Sequence, residues 1–115
     1  MELRKGDKLV NISVLTTEYI RVRVEAEDSG VPVDPTSNPP EFALLDFDTD
    51  PDPVGGDWSN GTWETVVSGS ETQYYARIIV GTGGIVLVVG KYNVWLKVTH
   101  SPEIPVRKVG ALDVM

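Results

Sequence analysis

The residues from Asp46 to Asp57, DFDTDPDPVGGD, are where residue type and spacing come nearest to chemistry in this chain. Asp46, Asp48, Asp50 and Asp52 stand at alternate positions with Asp57 beyond them, and such a density of carboxylates suits a hard cation held by oxygen ligands. A calcium loop of the D-x-D-x-D type requires more. Counted from Asp46, Pro51 takes the sixth position, where glycine makes the sharp turn, and Asp57 takes the twelfth, where a bidentate glutamate closes the site. The pattern favours a solvated loop of mutually repelling carboxylates that keeps an edge soluble, with a weak cation site as the alternative.

Catalytic machinery is equally sparse. His100 is the only histidine, cysteine is absent, and no serine stands in a G-x-S-x-G turn. The carboxylates sit in a proline-broken loop with no sign of a cleft to raise a pKa, so paired acid and base work has no evident seat. The expectation is a protein that is not an enzyme, with no catalytic, cofactor-binding or metal-ligating residue. Asn11-Ile12-Ser13 and Asn60-Gly61-Thr62 match the glycosylation acceptor, a pattern that matters only in a secreted eukaryotic chain. Asn60-Gly61 reads instead as a type I′ hairpin turn, in which both central residues take positive φ.

Composition narrows the partners. The 115 residues carry a formal charge of −7, and the ten Lys and Arg are scattered rather than clustered. A phosphate-tracking surface needs a basic face, so nucleic acid is excluded as a partner. Without cysteine there is no disulfide framework or thiolate zinc site, and stability must come from packing. MELRKGDKL offers no continuous apolar h-region, and no stretch approaches the roughly 20 apolar residues that span a bilayer, so no membrane partner is expected. The length suits a single domain, 1–115, with one core.

Periodicity supplies the architecture that would position these residues. Tyr92, Val94, Leu96 and Val98 fall on every second position, with Asn93, Lys97 and Thr99 between them, the mark of a strand buried on one face. The same rhythm runs through Val10, Ile12 and Val14, through Ile20 to Ala26, and through Tyr74 to Val80. Shorter runs at Glu41 to Phe47, Thr62 to Val67, Ile85 to Val89 and Val106 to Val114 complete the set. Gly, Pro, Asn and Asp clusters punctuate them at sandwich-like intervals, and no helical stripe competes. The fold class is therefore all-β, an immunoglobulin-like antiparallel β-sandwich of about seven to eight strands.

Gly90-Lys91-Tyr92 sharpens that assignment, because a tyrosine opening the penultimate strand can turn its ring inward and bond its hydroxyl to backbone upstream, as in a tyrosine corner. Val88 stands where such corners often carry aspartate, Val94 where antibody domains carry cysteine, and Glu41 to Phe47 lacks the core tryptophan. An antibody-type domain is thereby excluded and a looser immunoglobulin-like sandwich retained. Pro102 and Pro105 flank Glu103-Ile104 and limit strand addition at the edge of the last hairpin.

MELRKGD, GVPVDPT and the closing YYARIIVGTGG and GKYNVWLKVTHSPEIPVRKVGAL resemble, as short blocks over most of the chain, small virion proteins from the head and head-to-tail connector genes of tailed bacteriophages infecting actinobacteria. The resemblance implies a virion structural or accessory role, in the host cytoplasm during assembly. It further implies capsid, connector or tail subunits and symmetric copies of the chain itself as partners, and it carries over no catalytic residue.

Aromatic residues on the outward beats are the candidate contacts. Trp95 lies between Val94 and Leu96, and Tyr75 and Tyr19 are similarly out of phase with their apolar neighbours. Trp95, Tyr75, Arg77, Trp58 and Trp63 are the candidate partner-binding residues, since tryptophan and tyrosine concentrate at interface centres. The plainer reading pairs Trp95 across strands with Tyr75 or Arg77, or covers it with a loop. Two functions follow: non-catalytic assembly through sheet faces and loops, or a carbohydrate-binding or adhesion-type module that stacks glycan on Trp58, Trp63 or Trp95.

Overall fold

The computed structural model describes residues 2–3 and 10–115, with the backbone alone for Glu2, Leu3 and Val10. The readings of MELRKGDKL therefore fall largely on Met1 and residues 4–9, which lie outside the described residues. In chain order the strands are β1 (Glu2–Leu3), β2 (Val10–Ile12), β3 (Glu18–Glu25), β4 (Glu27–Asp28), β5 (Val31–Pro32), β6 (Glu41–Asp46), β7 (Ser59–Asn60), β8 (Thr62–Ser68), β9 (Glu71–Val80), β10 (Gly90–Lys97) and β11 (Val106–Val114). Among the described residues the one helical element is a single 3₁₀ turn at Gly55–Asp57.

Two sheets form the sandwich. Sheet one has the order β1-β3-β9-β8 and sheet two the order β2-β11-β10-β6-β7, while β4 and β5 make a small hairpin of their own. Every pairing is antiparallel except β2 with β11, which is parallel. The first strand region is thus divided, β1 closing one sheet and β2 the other. That order is the immunoglobulin-like arrangement expected from the strand pattern, with short pieces added at the edges.

The inward beats meet as expected. Ile20, Val22 and Val24 of β3 and Ala76, Ile78 and Val80 of β9 face Phe42 of β6, Val94 and Leu96 of β10 and Leu112 and Val114 of β11 in one buried cluster. Each large apolar side chain so buried contributes about 1.5–3 kcal/mol, so alternation in the sequence becomes the main stabilising term of the fold. The register slips between Val94 opposite Gly110 and Trp95 opposite Lys108, leaving Val109 without a partner across the ladder. This bulge turns Val109 into the core and aims Lys108 at the face that carries Trp95.

The tyrosine corner is formed. The Tyr92 hydroxyl donates to the Val88 carbonyl at 2.8 Å, four residues upstream, and the ring packs against the core cluster.

Two expectations are corrected. Ile85 to Val89 is not a strand: Ile85 makes one isolated bridge to Val80, and the chain then crosses from sheet one to sheet two. Ile85 and Leu87 still pack inward while Val86 and Val88 point out, so the alternation reports which side is buried and says nothing of ladder partners. Gly81, at φ +118°, opens the turn that precedes this segment. Asn60-Gly61 is not a type I′ turn either, because neither residue has positive φ. Asn60 ends β7 in sheet two and Thr62 starts β8 in sheet one, so the pair is a crossing between sheets. Glycine is needed there for space: a Cβ on Gly61 would collide with the Arg77 carbonyl and come within 2.9 Å of the Phe42 ring.

Candidate interaction surface

The five candidate residues do not gather into one site. Trp95 and Trp58 belong to the outer side of sheet two, Tyr75 and Arg77 to the outer face of sheet one, and Trp63 points into the sandwich from β8. Pairing of Trp95 with Tyr75 or Arg77 is therefore corrected, since the two sheets separate them. Trp95 lies beside Ala43 of β6 and Lys108 of β11, and the Lys108 ammonium is 5.5 Å from its ring centre.

The outer face of sheet two is covered by the acidic loop. Asn93, Trp95 and Lys97 occupy the outward beat of β10, yet Asn93 is only 5% exposed. Its amide donates to Asp50 at 2.8 Å, and the Lys108 ammonium meets the same carboxylate oxygen at 2.8 Å. One turn along the strand, Lys97 pairs with Glu41 at 3.4 Å and sits 4.6 Å over the Trp58 ring. Asp50 and Trp58 thus meet the sheet on either side of Trp95, whose indole nitrogen is buried without a hydrogen-bond partner. The residue that makes the central contact is presented from left-handed backbone, Asp50 at φ +45°, a conformation aspartate tolerates better than most residues.

This docking changes the reading of the loop itself. Asp46 accepts from the Thr49 hydroxyl at 2.8 Å and from the Thr49 backbone N–H at 3.2 Å. Those bonds, the hydroxyl first, hold its carboxyl below the ordinary carboxylate pKa. Asp57 accepts from the Val54 N–H at 2.8 Å, and Asp50 takes Asn93 and Lys108. Three of the five carboxylates are committed to different partners, and no group of three acidic or histidine side chains converges on a point among the described residues. The loop touches the sheet through Asp50, while residues 46–52 remain exposed to solvent as the sequence pattern suggests.

Sheet one treats its outer face differently. Arg21 of β3 lies directly opposite Arg77 of β9, a like-charge pairing that alone would be unfavourable. Each guanidinium leans diagonally onto a tyrosine of the other strand, Arg21 at 4.0 Å from the Tyr75 ring centre and Arg77 at 4.3 Å from that of Tyr19. Arg21 also forms an ion pair with Glu64 at 2.9 Å, and Arg23 reaches Glu71 at 3.0 Å. The Tyr75 hydroxyl donates to Gln73 at 3.1 Å. The face is a lattice of cross-strand pairs, open to water.

Trp63 packs against the core, and its indole N–H donates to the Asn38 carbonyl at 2.7 Å. It ties the 34–40 segment to β8. All three tryptophans are partly buried, each in a different setting, so they do not make a flat exposed platform.

A feature that the aromatic search overlooked lies at one end of the sandwich. Val14 and Leu15 and, from the crossing segment, Val86 line a cavity of about 240 Å³. Leu15 is 91% exposed, Val86 78% and Val88 74%, with Val89 beside them. The segments that build this end, 13–17 and 82–90, contain no charged residue. The available signal is the uncharged run Ile85 to Val89, whose composition reads as one more short strand.

The chain matches no protein-family model, no curated protein and no solved structure.

Proposed function

We propose that this domain is a non-catalytic assembly module that associates with copies of itself through its apolar end. As the phage resemblance implies, it does so as a structural component of a tailed-phage particle, beside capsid, connector or tail subunits. One observation supports the reading: Val14, Leu15 and Val86 line one cavity while each is exposed, on segments without charge, in a chain whose net charge is −7. Exposed apolar clusters of this kind mark interaction sites. Two like-charged copies repel over most of their surfaces, so an uncharged end is where they approach at least cost. A closed symmetric contact at this end leaves both sheet faces outward.

Glycan stacking loses its support, since Trp63 is inward, Trp95 lies between loop contacts and Trp58 is engaged with Lys97.

Sedimentation equilibrium tests the proposal. Self-association strengthens as salt rises from about 0.1 M to about 1 M, because screening relieves repulsion while apolar contact persists. Val86→Asp abolishes association without lowering the melting temperature, since Val86 already faces water. A wild-type protein that stays monomeric across that range, or a variant that associates as wild type does, overturns the reading.

A further inference from the structure

The Arg/Tyr lattice of sheet one is unbalanced in one place. Arg21 has Glu64 as its counter-ion, and Arg23 has Glu71. Arg77, directly opposite Arg21, forms no ion pair among the described residues, although it is partly buried and the chain holds 17 acidic residues against ten basic ones. Its Nε–H donates to the Thr62 hydroxyl at 3.2 Å and its guanidinium lies 4.3 Å over Tyr19, so the fork is held in place by two neighbours that leave the Nη groups without a hydrogen-bond acceptor among the described residues.

Arg77 lines a cavity of about 290 Å³, as do Thr62 and Tyr19, the two residues that hold its guanidinium. It forms because β8 starts only at Thr62, opposite Arg77, and the rest of β9 has no β8 residue beside it. The crossing at Ser59 to Thr62 makes one wall and the Gly83 to Ile85 turn the other. Arg77 is the only charged residue in the lining, and Ser59, Thr62, Asn60 and Tyr19 beside it are residues that carry hydroxyl, amide and phenol groups. An oriented guanidinium with hydroxyl and amide donors and no competing carboxylate complements a planar oxyanion, which it can grip with two parallel N–H bonds.

We propose that the Tyr19–Arg77 cavity receives a carboxylate group, bound bidentately by Arg77 and flanked by Asn60 and Ser59. The proposal is independent of the apolar end and stands if that end proves not to associate.

The test is an NMR titration of the full chain at constant ionic strength, following the Arg77 side-chain N–H signals and the Asn60 and Gly84 amides. The probes are glutarate, its neutral isostere glutaramide, sulfate, and the tripeptide acetyl-Gly-Glu-Gly-amide. Glutarate shifts these signals saturably and glutaramide does not, a comparison that needs no variant. Tighter binding of the tripeptide than of glutarate assigns the carboxylate to a protein side chain, and the reverse order assigns it to a free acid. Arg77→Gln weakens glutarate at least about ten-fold, as loss of a charge-assisted pair requires. Arg77→Lys, which keeps the charge and loses the fork, falls between. Equal response to glutaramide, tighter binding of sulfate, an unaffected Arg77→Gln variant, or shifts at Arg21 and Arg23 as large as those at Arg77 would each overturn the assignment.

Discussion

On sheet one the outward beat of each strand is met by side chains of the next strand, whereas on sheet two Asn93 of β10 is met by Asp50, 43 residues away in the chain. Arg21, Tyr75, Arg77 and Tyr19 pair within the sheet plane and remain wet. Asn93 and Lys108 take their polar partner from the loop, and Trp95 beside them leaves its indole nitrogen without one. Exposed ion pairs gain little, because water and salt compete with them at high dielectric. A buried amide is different, since removing its one partner exposes the full cost of an unsatisfied group. The comparison therefore assigns sheet two's outer face to the fold and leaves sheet one's outer face free of a comparable structural duty.

The sharpest break in that comparison is Trp95→Ala, which removes the side chain between the two docking points of the loop. The expected loss is about 3 kcal/mol in chemical denaturation, in the range for large aromatic truncations. A loss no greater than that of Tyr75→Ala on the opposite face would make the two faces alike. Next comes Asp50→Ala, which leaves the Asn93 amide without its acceptor and costs about 2 kcal/mol, measured the same way. Asp50→Asn keeps an acceptor oxygen and the tolerance for left-handed backbone, and it should recover most of that loss. The smallest effect is expected from Arg21→Gln on sheet one, under about 1 kcal/mol at low salt and indistinguishable from wild type near 1 M salt.

How much of this was legible follows from the range of the interactions. The inward beats of β3, β9 and β10 were readable because one-sided burial imposes a period of two on a single strand. Tyr92 was readable for a similar reason, its acceptor Val88 being four residues away. The twin Tyr-x-Arg patterns, Tyr19 to Arg21 and Tyr75 to Arg77, were visible as outward aromatics, but the diagonal stacking depends on a register that no single strand reveals. Asp50 could not be matched to Lys108 from sequence, the two being 58 positions apart, so the pattern showed a solvated loop without its contact to the sheet. Ile85 to Val89 misled because alternation encodes which side faces grease, and a crossing segment obeys it as well as a strand does. The apolar end escaped for both reasons together, being assembled from 13–15 and 86–89.

The proposed contact with another copy lies at the apolar end and leaves both sheet faces out of it. Hydrogen exchange of the backbone amides, followed from dilute to concentrated protein in high salt, tests that most directly. Exchange at Val86, Val88 and Val89 should slow as concentration rises, while the amides of β3, β9 and the 46–58 loop keep their rates. Protection that grows on either sheet face while 86–89 stays unchanged would contradict the account.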